Sequence, residues 1–231
     1  MVVIGDIHFP FHNKQWLSWV YSKVIQLKPT HVVQIGDLMD LYNFSRYART
    51  NDLLTPEQEI EQAFSSGEQM WRVLRKLAPG TKCYQLSGNH DPSGRILKRI
   101  RDSLPIVESL VDLQKLMTFE GVQTLHDFTD ELLLDDLCIM HGHKGLGQHA
   151  AENRMNTIVG HLHKLDIRWF HGRAGPFYEM NVGCGVDKNS PVFGYRGQKK
   201  LCQWTLGLGY VDRDGPRTIP FFSAQHGKGS P

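Results

Sequence analysis

Short apolar runs, each ending on a turn, alternate in the first half of the chain with longer segments whose apolar residues recur every three or four positions. The runs around Val2-Val3-Ile4, Val32-Val33 and Tyr84-Gln85-Leu86 predict strands over 1–5, 31–36 and 82–87. Between the first two, Trp16, Val20, Val24 and Leu27 share one helix face; Asn13 would cap this helix, which runs to about Lys28 and stops at Pro29. Between the second and third, Thr55-Pro56-Glu57-Gln58 is a capping box with proline at the first helical position. Ile60, Ala63, Phe64, Gly67, Met70, Trp71, Leu74 and Leu77 follow at helical spacing, and Pro79-Gly80 ends the run. Strand–helix–strand order of this length predicts right-handed βαβ units with parallel strands.

The texture then shortens. Ser93 would cap a helix carrying Arg95, Lys98, Arg99 and Arg101, Pro105 breaks it, and 106–118 predicts a second short helix. Strands are expected over 122–126, 131–134 and 137–141, then a helix over 148–154 and a strand running into a turn that ends at His163. Antiparallel strands over 167–171, 176–182, 201–211 and 217–222 would finish a second sheet, with 183–200 a loop rich in Gly, Lys and Arg. One domain over 1–226 and a disordered tail over 227–231 complete the expectation.

Composition narrows the class without naming a chemistry. With 231 residues, 40% hydrophobic and 22% charged, the chain can bury a globular core. No apolar run approaches the ~18 residues of a membrane span, and the start shows no signal-peptide pattern, so a cytoplasmic protein with no membrane partner is expected. Four widely spaced cysteines without a C-x-x-C pair fit a reducing compartment. A net charge of +2 does not by itself argue for nucleic acid. The 12 histidines are the anomaly, because several follow glycine at the ends of apolar runs.

Five turns share that grammar: Gly5-Asp6-Ile7-His8, Gly36-Asp37, Gly88-Asn89-His90-Asp91, His141-Gly142-His143 and Gly160-His161-Leu162-His163. Any one of them alone reads as an ordinary loop, since Asp and Asn favour turns for backbone reasons. All five, each at the carboxyl end of a predicted strand, read as a site. Oxygen and imidazole donors without cysteine suit Mn, Fe, Zn or Ni better than Ca or Mg. A carboxylate such as Asp37 can bridge two ions ~3.5–4 Å apart. Two carboxylates against two divalent ions leave a positive centre, suited to a phosphate ester. His90, beside Asp91, could donate a proton or stabilise charge.

Asp6-x-His8, Gly36-Asp37-x-x-Asp40, Gly88-Asn89-His90-Asp91, His141-Gly142 and Gly160-His161-x-His163 together resemble the signature of the calcineurin-like metallophosphoesterases. The resemblance spans residues 2–163 and implies a two-sheet α/β/β/α sandwich with a dinuclear site at its rim. It implies one ion held by Asp6, His8, Asp37 and His163, and a second by Asp37, Asn89, His141 and His161. Manganese is the expected metal, with Fe, Zn or Ni as alternatives. A bridging hydroxide would attack phosphorus, with His90 assisting the leaving oxygen and Asp91 orienting His90. His12 and His143 match no ligand position.

The protein phosphatases of that superfamily carry Asp-Arg-Gly after the second motif. Leu41-Tyr42-Asn43 stands there instead, so the chain is more similar to the nuclease and phosphodiesterase branches, closest in look to bacteriophage-encoded, exonuclease-like members. Phosphodiester hydrolysis on DNA, RNA or nucleotides is therefore expected, with Tyr42, Phe44, Arg46, Arg49, Arg95 and Arg99 as substrate contacts. Alternatives are a phosphomonoesterase on a nucleotide or small molecule, and a non-catalytic scaffold with the same fold.

Overall fold

A computed structural model describes residues 1–45, 54–104 and 112–223. The expected contacts Arg46 and Arg49, residues 106–111 of the helix expected over 106–118, and the tail over 227–231 lie outside them. In chain order the elements are β1 (Val2–Ile4), α1 (Lys14–Leu27), β2 (His31–Gln34), α2 (Pro56–Leu77), β3 (Lys82–Leu86), α3 (Pro92–Ser103) and β4 (Gln123–Leu125). Then follow β5 (Glu131–Leu134), β6 (Leu137–Met140), α4 (Gln148–Asn153), β7 (Asn156–Val159), β8 (Leu165–Gly172), β9 (Gly175–Val182), α5 (Gln198–Leu201), β10 (Gly207–Asp212) and β11 (Gly215–Pro220).

Two mixed sheets face each other. The first runs β11-β10-β1-β2-β3-β4 and the second β5-β6-β7-β9-β8. β1 to β4 are mutually parallel, as are β6, β7 and β9. Strand β1 is apolar throughout because both of its faces are buried. Val2 and Ile4 join Trp16, Val20 and Val24 of α1 and Met70, Trp71 and Leu74 of α2 on the outer side. Val3, with Val33, Ile35 and Leu86, meets Ile139, Ile158, Met180 and Val182 between the sheets. Helix α4 and the side chains of Cys138, Met140 and Val159 lie on the remaining face. The α/β two-sheet architecture is the expected one, and no helix among the described residues is long and apolar enough to cross a membrane.

The first two predicted helix starts hold. Asn13 accepts from Trp16 N, and Thr55 with Gln58 forms the full capping box. Ser93 does not cap α3: Asp91 takes the cap position and Pro92 the first helical residue, which suits proline's fixed φ and missing N–H. Of the helix expected over 106–118, the described part holds a 3₁₀ turn, Gln114–Met117.

The main correction concerns the C-terminal strands. The strand expected over 201–211 starts only at Gly207, and Leu201 ends α5. Strands β10 and β11 finish the first sheet rather than the second, with β10 antiparallel to β1 through Val2↔Tyr210 and Val3↔Gly209. Glycine explains the choice. A Cβ at Gly209 would lie 2.7 Å from Val182 and 2.9 Å from Met180, so the bare backbone lets β10 sit close under the second sheet. The loop expected over 183–200 also contains a 3₁₀ helix, Pro191–Arg196.

Trp16 ties α1 to this added strand. Its ring is fully buried, and its Nε1 donates to Gly207 O at 3.0 Å. Trp16→Ala should lower the unfolding free energy by ~3–5 kcal/mol. Trp16→Phe, which keeps most of the packing but strands the carbonyl, should cost ~1–3 kcal/mol. Urea unfolding of the two variants checks the order.

Candidate metal centre

The turns after β1, β2, β3, β6 and β7 converge at one rim. They do so on unusual backbone. Asp6 (φ 52°), His8 (φ 58°), Asp37 (φ 51°), His161 (φ 66°) and His163 (φ 56°) are all left-handed. Asp and His tolerate that region better than most side chains, and concentrated backbone strain of this kind is typical of functional sites. Close approach does the rest. A Cβ on Gly88 would sit 2.3 Å from the backbone nitrogen and Oδ1 of Asp37, and one on Gly160 2.7 Å from Oδ2 of Asp6. These glycines allow turns from different strands to touch.

Asp37 is the meeting point. Its Oδ1 accepts from His90 N at 2.8 Å, while Oδ2 lies 3.7 Å from Nε2 of His8 and 3.4 Å from Nε2 of His141. On one side, Asp6, His8, Asp37 and His163 bring donor atoms within 4.8 Å of one another; on the other, Asp37, His141 and His161 do the same. Asn89 Oδ1 joins the second group, 3.2 Å from Nε2 of His141 and 2.8 Å from Nδ1 of His161. All seven expected ligands are therefore brought together in the expected two groups.

The donor set fits cations. Asp6, Asp37 and Asp40 are buried, and carboxylates out of water need countercharge. Without ions, imidazoles supply it. Burial opposes the charged form of His141, yet the facing Asp37, with Asp6 and Asp91, raises it to about 9. Burial also opposes ionisation of Asp37, but His141, His90 and His8 hold it well below the usual carboxylate range. Burial opposes the charged form of His8 too, yet Asp40, Asp37 and Asp6 raise it; among the other rings, burial and His141 lower His161 to about 4, and burial lowers His163 and His90. Neutral imidazoles beside ionised carboxylates are the forms a divalent ion requires.

Asp40 is a residue whose role sequence reading missed, although it stands in the quoted motif. Its Oδ1 accepts from Nδ1 of His8 at 2.7 Å and from Nδ1 of His90 at 3.0 Å. One oxygen thus orients a candidate ligand and the candidate catalytic histidine, in the manner of carboxylates behind metal-bound imidazoles. These bonds hold Asp40 ionised, far below its ordinary range, although burial works the other way.

Asp91 does not orient His90. Its carboxylate accepts from the backbone N–H of Gly88 (2.7 Å), Met39 (2.8 Å) and Leu38 (3.3 Å), joining the second turn to the third. Burial and the neighbouring Asp37 push it up to about 7 against those N–H groups.

Two further supports lie behind the turns. Gln34 pins Gly36 by pairing with both its N–H and its carbonyl, each at 2.8 Å, and connects through Gln85 to Trp71 Nε1 in α2. Polar residues inside otherwise apolar strands were the available signal. Nε2 of His149 accepts from the backbone N–H of His143 and Lys144, shaping the fourth turn. The His143 side chain is exposed and packs on His149, while His12 packs on Phe9.

The expected substrate contacts divide. Phe44, Arg95 and Arg99 line a groove that adjoins Asn89, His90 and His161. Tyr42 does not. It is 5% exposed and packs with Cys184, Val186, Val192, Phe193 and Leu201, while buried Glu59 accepts from its backbone N–H.

No family model matches the chain. The "Gene 54 protein" of Mycobacterium phage L5 is similar at 28% identity over 243 residues, covering 95% of this chain and 91% of its own. The "Gene 54 protein" of Mycobacterium phage D29 is 26% identical over 245 residues, with coverage of 95% and 91%. Among solved structures, Yfce, a phosphoesterase from E. coli, matches at TM-score 0.45 and 16% identity over 94% of this chain and 91% of its own. Chaetomium thermophilum Vps29 matches at TM-score 0.38 and 10% identity, over 100% and 98%. Neither structural likeness assigns a role to any residue here.

Asp40→Asn should weaken Mn binding ~10–100-fold, because His8 loses the charged acceptor that sets its tautomer and raises its basicity. Calorimetric titration of chelator-treated protein measures this, and an unchanged affinity would exclude the role. The same treated protein should become less stable as pH rises from about 6.5 to about 9. A raised His141 pKa stabilises fully below its unfolded value of ~6.5, and that stability is lost as pH climbs through the folded value of about 9. The loss is on the order of 3 kcal/mol, read as a falling Tm, and saturating Mn should flatten the trend.

Proposed function

We propose that the chain is a metal-dependent phosphoesterase, and specifically a phosphodiesterase acting on nucleic acid or nucleotides. The observation that carries this reading is the pair of donor groups sharing Asp37, in the arrangement the resemblance to the calcineurin-like metallophosphoesterases implies. Asp6, His8, Asp37 and His163 would hold one divalent ion, and Asp37, Asn89, His141 and His161 the other. Bound there, two ions supply Lewis-acid charge to a phosphoryl group and lower the pKa of water toward neutrality.

The chain's own residues do the positioning. Arg95 Nη2 lies 3.1 Å from Nε2 of His90, and a guanidinium can only donate. Nε2 therefore accepts, and the single proton of a neutral His90 sits on Nδ1, toward Asp40. A phosphate oxygen entering the groove would draw the Arg95 donor to itself. That move frees Nε2 of His90 to take up a proton from water, and the imidazolium so formed, its Nδ1–H held by Asp40, can pass that proton to the leaving oxygen. Arg95 would thus bind substrate and set the moment at which His90 becomes available.

With Mn supplied, wild-type protein should hydrolyse bis-p-nitrophenyl phosphate faster than p-nitrophenyl phosphate; the reverse order would move it to the monoesterases. Asp37→Asn should abolish both activities. His90→Ala should lower kcat by ~10²–10⁴-fold while leaving Mn stoichiometry intact. Full diesterase activity in His90→Ala would overturn its assignment, and fewer than one bound Mn per wild-type chain would favour the scaffold.

A further inference from the structure

Beyond His90 the groove continues along α3, with a volume of about 720 Å³. That volume is ordinary for a small-molecule site and does not choose a substrate. The layout of its walls does. Arg95, Lys98 and Arg99 line it together with the rings of Phe44 and Phe128.

Arg99 is held without being neutralised, while Arg95 also stands 3.9 Å from the Asp40 carboxylate. Arg95 donates to the carbonyl of Asp40 as well as to His90, and Arg99 donates to the carbonyls of Phe44 (3.1 Å) and Ser45 (2.6 Å). Carbonyl partners fix a guanidinium in place and leave its charge available. Lys98 shares its charge with Asp102 at 3.1 Å in an exposed pair that solvent weakens, and Arg101 feels Asp127.

The cations also form a row along the helix rather than a single cluster. Arg95 and Arg99 are separated by ~6 Å of helix rise, the second leading away from the donor cluster. A small phosphate ester seated at Asn89 and His161 could use Arg95 but would give Lys98 and Arg99 nothing to bind. A chain of phosphates would engage all three. Phe128 is 36% exposed and Phe44 half-buried, an arrangement that offers aromatic faces beside a cationic track. Unpaired bases can stack on such faces, whereas the bases of a duplex are already stacked on one another.

We infer that this groove is the track for a single-stranded polynucleotide, its phosphates along Arg95, Lys98 and Arg99 and its bases against Phe44 and Phe128. The inference rests on the phosphoesterase reading of the adjoining centre and narrows its substrate.

Fluorescence anisotropy with full-length, Mn-loaded protein tests it, using a labelled, cleavage-resistant phosphorothioate oligodeoxynucleotide of ~10 nucleotides. The double variant Lys98→Gln/Arg99→Gln should raise Kd about tenfold and make the dependence of log Kd on log salt shallower by ~1.4, from ~0.7 per single-strand phosphate contact. Lys23→Gln/Lys76→Gln removes equal charge from the far halves of α1 and α2 and should change neither quantity. An unchanged salt slope in the groove variant, an equal loss in the control, or tighter binding of the matching duplex would overturn the track. Hydrolysis of bis-p-nitrophenyl phosphate, run in parallel, separates the two claims. Cleavage of that ester without oligonucleotide binding removes the track and leaves the phosphoesterase. Groove-dependent binding without cleavage of any ester supports the track and removes the phosphoesterase.

Discussion

Carboxylates buried at one rim must be matched by positive charge, and most of the site's structure follows from that requirement. Asp37 illustrates the constraint. One of its oxygens is committed to the backbone N–H of His90, and the other faces imidazoles from two different turns. The carboxylate can occupy this position only because Gly88 has no side chain to collide with it. Gln34 holds the preceding turn from inside the sheet, and Asp91 holds the following one from α3. Electrostatic need and steric permission coincide at the same few residues. That coincidence explains why strained left-handed backbone accumulates there: each such residue aims a donor that an extended backbone would point elsewhere.

The metal-ligand candidates were legible in the sequence because their determinants are local. An apolar strand buried on both faces, a glycine and a polar turn form a pattern of about eight residues, and it recurs five times. Strand identity in the first half was legible for the same reason. The destination of Gly207–Asp212 was not, because pairing with β1 depends on residues more than two hundred positions away and on the space that Gly209 leaves for Met180 and Val182. The orientation of His90 was misread through adjacency. Asp91 is its neighbour in sequence, but the α3 cap turns that carboxylate toward backbone N–H groups, and the ring reaches Asp40, fifty positions away. Tyr42 was misread because an aromatic after a catalytic turn can face the groove or the core, and only the fold decides.

The proposed chemistry and the proposed selection of substrate are physically separated in this molecule. The donors sit on short turns at strand ends, braced by the core. The groove's cations sit on α3 and are held in place by the carbonyls of Phe44 and Ser45. Arg95 touches both systems, through Asp40 O and His90 Nε2. Changes along α3 can therefore alter what is bound without disturbing how the reacting group is held.

The two sheets contribute unequal halves of the same centre. Asp6, His8, Asp37 and Asn89 follow strands of the first sheet, while His141, His161 and His163 follow strands of the second, and each candidate ion would draw on both. No ion could be fully held by either sheet alone. Metal affinity would consequently measure how firmly the sheets are docked, and a loaded centre would act as a rivet across the interface rather than as cargo on its surface. Anything that loosens the apolar layer between the sheets, however distant from the rim, would be felt first as a loss of metal.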